Sequence, residues 1–168
     1  MSLHSQINWS TWVPTEEATI LFVIQDGKIL LIHKKRGLGA GLINGPGGRI
    51  EQGETPEQCA LRETKEELGI EVRDPRFAGE LYFDMTDGYK LRGTVYTATR
   101  FTGVPTETDE ATPEWFPLDG IPFERMWSDD RLWFPYMLAG KQFVGRFIFD
   151  GMTMLWHEVV ETEFLATT

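Results

Sequence analysis

One cysteine, Cys59, stands in 168 residues. No internal disulfide can form, and a reducing, cytoplasmic setting is expected. No run of about eighteen apolar residues occurs, so no membrane-spanning helix is expected. No basic stretch followed by an apolar one opens the chain, so no secretory leader is expected. Positive charge is scarce: 16 Lys and Arg against 26 Asp and Glu give a net charge of −10. Proteins that grip a long nucleic acid present a basic face, so a polymer partner is not expected. A small anionic ligand is still allowed, because a bound divalent cation reverses the sign of a site locally. Repeats, low-complexity tracts and linkers are absent too. His4, His33 and His157 have no ligand spacing and read as structural. What is there is 41% hydrophobic and 25% charged. That suits one globular domain over residues 1–168, with a core over about 19–160. Monomer and homodimer both stay open.

Three Asp-Gly pairs punctuate the chain, and this pair tolerates the positive φ of tight hairpin turns. They predict hairpins joining Thr19–Ile24 to Lys28–Lys34, Phe77–Met85 to Lys90–Phe101, and Phe143–Phe149 to Thr153–Val160. A glycine-rich segment, Gly37 to Gly53, leads into a helix that marks both its ends. Thr55 is a suitable N-cap, Pro56 suits the first turn, Gln58 completes a capping box, and Gly69 suits the left-handed stop. A second helix is predicted from near Ser128 through Trp133 and Phe134 to Leu138, limited by Pro135. Strands in hairpins with two helices make an α/β or α+β sandwich.

On the first helix, Leu61, Thr64, Lys65 and Leu68 fall on one stripe, mostly the buried one. Glu63, Glu66 and Glu67 fall on another, at i, i+3 and i+4, and Glu67 is expected to face solvent without metal. Like charges at that spacing repel, and an ordinary solvated face would dilute them with Lys or Arg. Carboxylate oxygens are the hard ligands that Mg²⁺ or Mn²⁺ prefers. An acidic helix face alone still reads as plain solvated surface.

The full spacing carries more. Gly48, five residues, Glu54, seven residues, then Arg62-Glu63-Thr64-Lys65-Glu66-Glu67-Leu68-Gly69-Ile70 resembles the box of the Nudix hydrolases, departing only at Thr64, where an aliphatic residue is usual. The resemblance implies a Nudix sandwich: a mixed β-sheet flanked by helices, the box helix carrying the metal-binding glutamates. It implies metal-assisted attack of water on a nucleotide's phosphorus, with Mg²⁺ (or Mn²⁺) as cofactor. Glu63, Glu66 and Glu67 match the metal-binding glutamates. Arg62 and Glu54 match a supporting pair, and Gly47 and Gly48 match positions where backbone approaches metal and phosphates.

The flanks resemble one subgroup, the oxidised purine nucleoside triphosphate hydrolases that sanitise nucleotide pools of species such as 8-oxo-dGTP. The similar stretches are Lys34 to Gly41, Ile121 to Phe123, Met126 to Asp130, and Trp133 to Pro135. Trp127 offers a stacking face for a base, Asn44 a donor and an acceptor, and Asp129 and Asp130 further carboxylates. If both aspartates faced the base, burial and repulsion would keep one protonated. Thr19 and Lys34 match other substrate-side positions, Phe83 a pocket aromatic, and Glu110 a loop glutamate that binds metal or activates water. Leu38, Ile43 and Pro46 stand where the subgroup has aromatics, and Leu91 where it has methionine, so base preference is open. Taken singly, Trp127 reads equally as core, Ser128-Asp129-Asp130 as a helix start, and Lys34-Lys35-Arg36 as a solvated strand end.

Other Nudix substrates compete: ADP-ribose, whose hydrolases place a proline where Thr86 stands; dinucleoside polyphosphates, whose group has a tyrosine near Tyr89; and pyrimidine triphosphates. An isoprenoid diphosphate isomerase would need a loop cysteine, whereas Cys59 lies on the box helix and reads as packing. A non-catalytic binding module would have lost box glutamates that are present here.

Overall fold

The computed structural model describes residues 7–164; His4 lies outside them. The strands in chain order are β1 (Glu16–Gln25), β2 (Lys28–Lys34), β3 (Ile43–Asn44), β4 (Gly47–Arg49), β5 (Glu71–Arg73), β6 (Arg76–Met85), β7 (Lys90–Ala98), β8 (Arg100–Thr102), β9 (Ala111–Pro117), β10 (Phe143–Asp150) and β11 (Thr153–Glu161). Among the described residues two α-helices, α1 (Pro56–Leu68) and α2 (Asp130–Leu138), and a short 3-10 helix over Phe123–Arg125 complete the order. The three Asp-Gly turns join β1 to β2, β6 to β7 and β10 to β11. At the first, Asp26 and Gly27 take φ of 52° and 73°, the doubly left-handed turn that suits strand twist.

The nine-stranded sheet runs β11-β10-β6-β7-β1-β2-β3, with β4 added against β1 and β9 against β2. Its first hairpin splays. Strand β1 stays with β2 only at Ile24 and Gln25. Over Glu16–Val23 it runs parallel to β7, and over Ala18–Ile20 it pairs with β4. Alternate residues of β1 and β2 therefore enter different cores. Phe22, Ile29 and Leu31 pack with Trp133 and Phe134 of α2. Leu21, Val23, Leu30 and Ile32 pack with Ala60 and Leu68 of α1. Burial on both faces is why these strands read as nearly unbroken apolar runs.

Helix α1 has the expected capping box and a left-handed Gly69 (φ 72°). Its buried stripe is different: Cys59, Ala60, Thr64, Glu67 and Leu68 are buried, Leu61 is half-buried, and Lys65 is exposed and paired with Glu71. Thr64 is tolerated in the core because its hydroxyl donates to the Ala60 carbonyl at 2.7 Å. Helix α2 begins at Asp130, two residues later than predicted, because the Asp129 side chain makes no cap and turns to Trp133 instead.

Candidate active site

Strand β4 meets helix α1 at Gly48 and strand β1 at Gly47. A Cβ on Gly48 would lie 2.4 Å from the Glu63 carboxyl carbon, and one on Gly47 would lie 2.0 Å from the Thr19 carbonyl oxygen. Only glycine lets strand, helix and carboxylate close to this distance. Glu63 and Glu67 come from α1, and Glu110 comes from the loop before β9. One carboxylate oxygen of each lies within 4.8 Å of the others. Glu66 lies outside that set: half-exposed, it sits 3.3 Å from Arg62.

Contrary to the solvent-facing position expected for it, Glu67 is only 5% exposed. It is drawn inward because the last turn of α1 packs under β4 and the Glu110 loop. Its Oε2 is buried with no hydrogen-bond partner. Burial, then the charges of Glu63 and Glu110, push its carboxyl up to about 8. Burial also raises Glu63. Three converging carboxylates, one of them carrying a buried oxygen without a partner, fit a divalent cation, which would relieve their mutual repulsion.

Arg62 braces this cluster. It donates to Glu54 at 2.7 and 2.9 Å, to Glu63 at 2.8 Å and to the Arg49 carbonyl at 3.1 Å. The guanidinium holds Glu54 down to about 2. Lysine cannot span four acceptors in one plane. Arg62→Lys should therefore weaken Mn²⁺ binding and lower kcat/KM by about 10–100-fold each, measured by titration and steady-state kinetics. Wild-type affinity in that variant would remove Arg62 from a supporting role.

A cavity of about 350 Å³ runs past Gly47 and Gly48, the second of which abuts the Glu63 carboxylate. Thr19, Lys34, Asn44, Gly47, Gly48, Phe83, Trp127, Asp129 and Asp130 all line it. Asp129 and Asp130 are buried at 2% and 8% exposure. Trp133 Nε1 donates to Asp129 at 2.9 Å. Burial raises Asp129 to about 6 against that bond, while burial and its neighbour's charge raise Asp130 well above the usual range. Burial and mutual repulsion thus favour the neutral acid at Asp130 over Asp129. The Asn44 amide nitrogen is buried and unpartnered, leaving a donor free for a ligand.

The positions that depart from the subgroup pattern divide. Leu38 and Leu91 line the cavity, and Ile43 is fully buried in the α2-side core. Trp133, which the sequence places on the second helix and in a subgroup-like stretch but not in the base pocket, also lines the cavity; its i+4 spacing from Asp129 is the signal that points there. Tyr89 also lines the cavity, with its hydroxyl bonded to Glu16 at 2.5 Å. Cys59 is fully buried, its thiol pushed up to about 11 by burial, in keeping with packing rather than nucleophilic work.

The NUDIX domain profile matches residues 14–137, and the chain belongs to that family. Similar curated proteins are the oxidized purine nucleoside triphosphate hydrolases of Danio rerio and Mus musculus. The first is 44% identical over 149 residues, covering 88% of this chain and 96% of the relative. The second is 41% identical over 147 residues, covering 86% and 94%. Among solved structures, a MutT protein from Bacillus halodurans superposes with a TM-score of 0.77 at 24% identity, covering 86% of this chain and 97% of its own, a likeness of fold alone. A MutT NUDIX hydrolase from Burkholderia pseudomallei is 32% identical, with a TM-score of 0.60 over 66% of this chain and 88% of its own. Among the described residues no helix is long and apolar enough to cross a membrane.

Proposed function

We propose that this Nudix hydrolase cleaves oxidised purine nucleoside triphosphates, such as 8-oxo-dGTP or 2-hydroxy-dATP, to the monophosphate and pyrophosphate, with Mg²⁺ as cofactor, and so cleans the nucleotide pool. The observation that carries this reading is the buried Asp129–Asp130 pair beside Asn44, Trp127, Gly47 and Gly48 in one cavity, with Asp130 pushed toward its neutral form by burial and its neighbour's charge. A protonated acid next to an ionised one offers a donor and an acceptor side by side, the pattern a purine edge needs. Trp127 supplies the stacking face, and its ring is held edge-on by Phe149 at 5.9 Å.

Glu63, Glu67 and Glu110 are the residues that would hold the cation. The ion would neutralise phosphate charge and lower the pKa of attacking water. Arg62 and Glu54 keep Glu63 in place, Gly47 and Gly48 let the phosphates approach backbone, and Lys34 adds positive charge at the cavity wall. The relatives named for this activity align over most of the chain.

The test is a hydrolysis panel of normal and oxidised nucleoside triphosphates with Mg²⁺ in ¹⁸O-labelled water. Monophosphate and pyrophosphate should dominate, with an oxidised purine the best substrate by kcat/KM. Orthophosphate and diphosphate as main products would contradict the direction of binding. A flat ranking across bases would contradict the purine pocket.

A further inference from the structure

The loop that delivers Glu110 is built around one side chain. Thr108 lies two residues before Glu110, between β8 and β9. Its hydroxyl donates to the Glu67 carbonyl oxygen at 2.8 Å, in the last turn of α1. The Thr108 hydroxyl oxygen in turn accepts the Glu110 N–H at 3.3 Å. The Thr108 N–H donates to the Ala111 carbonyl at 2.9 Å and closes the loop. Its carbonyl accepts from Lys35 Nζ at 2.8 Å. Lys35 also pairs with Glu107, and its N–H donates to the Glu110 carbonyl at 3.0 Å. The loop is thus fixed to the helix on one side and to the end of β2 on the other.

The orphan carbonyl groups at a helix C-terminus need donors, and any hydroxyl could serve that need. Here the donor is also the acceptor for Glu110, so a single oxygen sets the spacing between the backbones of Glu67 and Glu110. Their carboxylates belong to the cluster whose oxygens lie within 4.8 Å. We propose that Thr108 is a positioning residue for the metal site: its hydroxyl locks Glu110 against Glu67, and cation affinity depends on that lock. This rests on the reading that Glu63, Glu67 and Glu110 hold the divalent ion. Lys35 serves the same lock from outside, which gives a role to a charge otherwise read as a solvated strand end.

The experiment is a Mn²⁺ titration of nucleotide-free protein, following free Mn²⁺ by electron paramagnetic resonance. Thr108→Val keeps the shape and loses the hydroxyl. It should raise the Mn²⁺ Kd by about 10–100-fold, whereas Thr108→Ser, which keeps the oxygen, should stay within about twofold of wild type. In turnover assays, the Val variant should lose kcat at low Mg²⁺ and regain it at high Mg²⁺, with KM for the nucleotide at saturating metal unchanged. Glu110→Gln separates the two readings. If it weakens Mn²⁺ and Thr108→Val does not, the lock is refuted while the metal site stands. If Glu110→Gln leaves Mn²⁺ affinity unchanged, Glu110 is no ligand and the lock falls with it. Should the Val variant fail to fold, Thr108→Ala carries the same expectation and the same refutation.

Discussion

Glu67→Gln should lower kcat by about 10²–10³-fold while leaving nucleotide affinity nearly unchanged, because it removes one charge from the cation site and keeps the shape. A variant that retained more than about a tenth of the wild-type rate would take Glu67 out of the cation site. The burial of Glu67 adds a second, opposite effect on stability. Its carboxyl is raised from 4.5 to about 8 in the folded protein. As pH climbs past 4.5 the unfolded chain loses this proton first, so metal-free protein loses stability until the folded carboxyl also ionises near pH 8. Glutamine does not titrate. The variant should therefore melt higher than wild type above pH 8 in EDTA and much like it below pH 4.5. Saturating Mg²⁺ should reverse the ranking at alkaline pH, since only the carboxylate gains a ligand. Calorimetry across that range checks it. Equal melting of the two proteins at alkaline pH without metal would mean that Glu67 is not buried as described.

The base pocket gives the other large effect. Trp127→Ala should weaken purine triphosphate binding by roughly 1–3 kcal/mol, the worth of a lost stack, with Mn²⁺ affinity unchanged. Asp129→Asn and Asp130→Asn should diverge. Burial and its neighbour's charge favour the neutral acid at Asp130, so its amide keeps a donor in place. Asp129 accepts from Trp133 at 2.9 Å and titrates near 6, so its amide loses an acceptor and a charge. Wild-type kcat/KM for purine triphosphates should therefore change through pH 6, and Asp129→Asn should flatten that inflection and reorder 8-oxo-dGTP, dGTP and 2-hydroxy-dATP. If all three variants kept the wild-type ranking and profile, these residues would be helix start and core. The protein would remain a Nudix hydrolase with its base preference unassigned.

Local chemistry explains what could be read without coordinates. Thr55, Pro56, Gln58 and Gly69 satisfy backbone groups within a few residues of themselves, so the ends of α1 are written where they occur. Asp26-Gly27 does the same for the first turn. Long-range pairing is not written that way. The pattern of β1 suits a hairpin partner, yet most of β1 lies beside β7 and β4, more than twenty residues away in sequence. The glutamate spacing places three carboxylates on α1 but cannot say which of them the Glu110 loop will cover, and this is why Glu67 was expected in solvent. Likewise Lys35 is a surface charge until Thr108 is seen against it.

The two helices pack against alternate side chains of β1 and β2, and the cavity reaches from Gly47 and Gly48 to Asp129 and Asp130. The carboxylates proposed to hold the cation ride on α1 and the Glu110 loop; the aspartates proposed to read the base ride on α2. Strands β1 and β2 send alternate side chains to each. A change of base preference can therefore be drafted on α2 and its neighbours, at Leu38 or Leu91, without rewriting the machinery that breaks the bond. On the proposed reading the fold is a chassis with an exchangeable reading head, and a substitution at one end leaves the other in place.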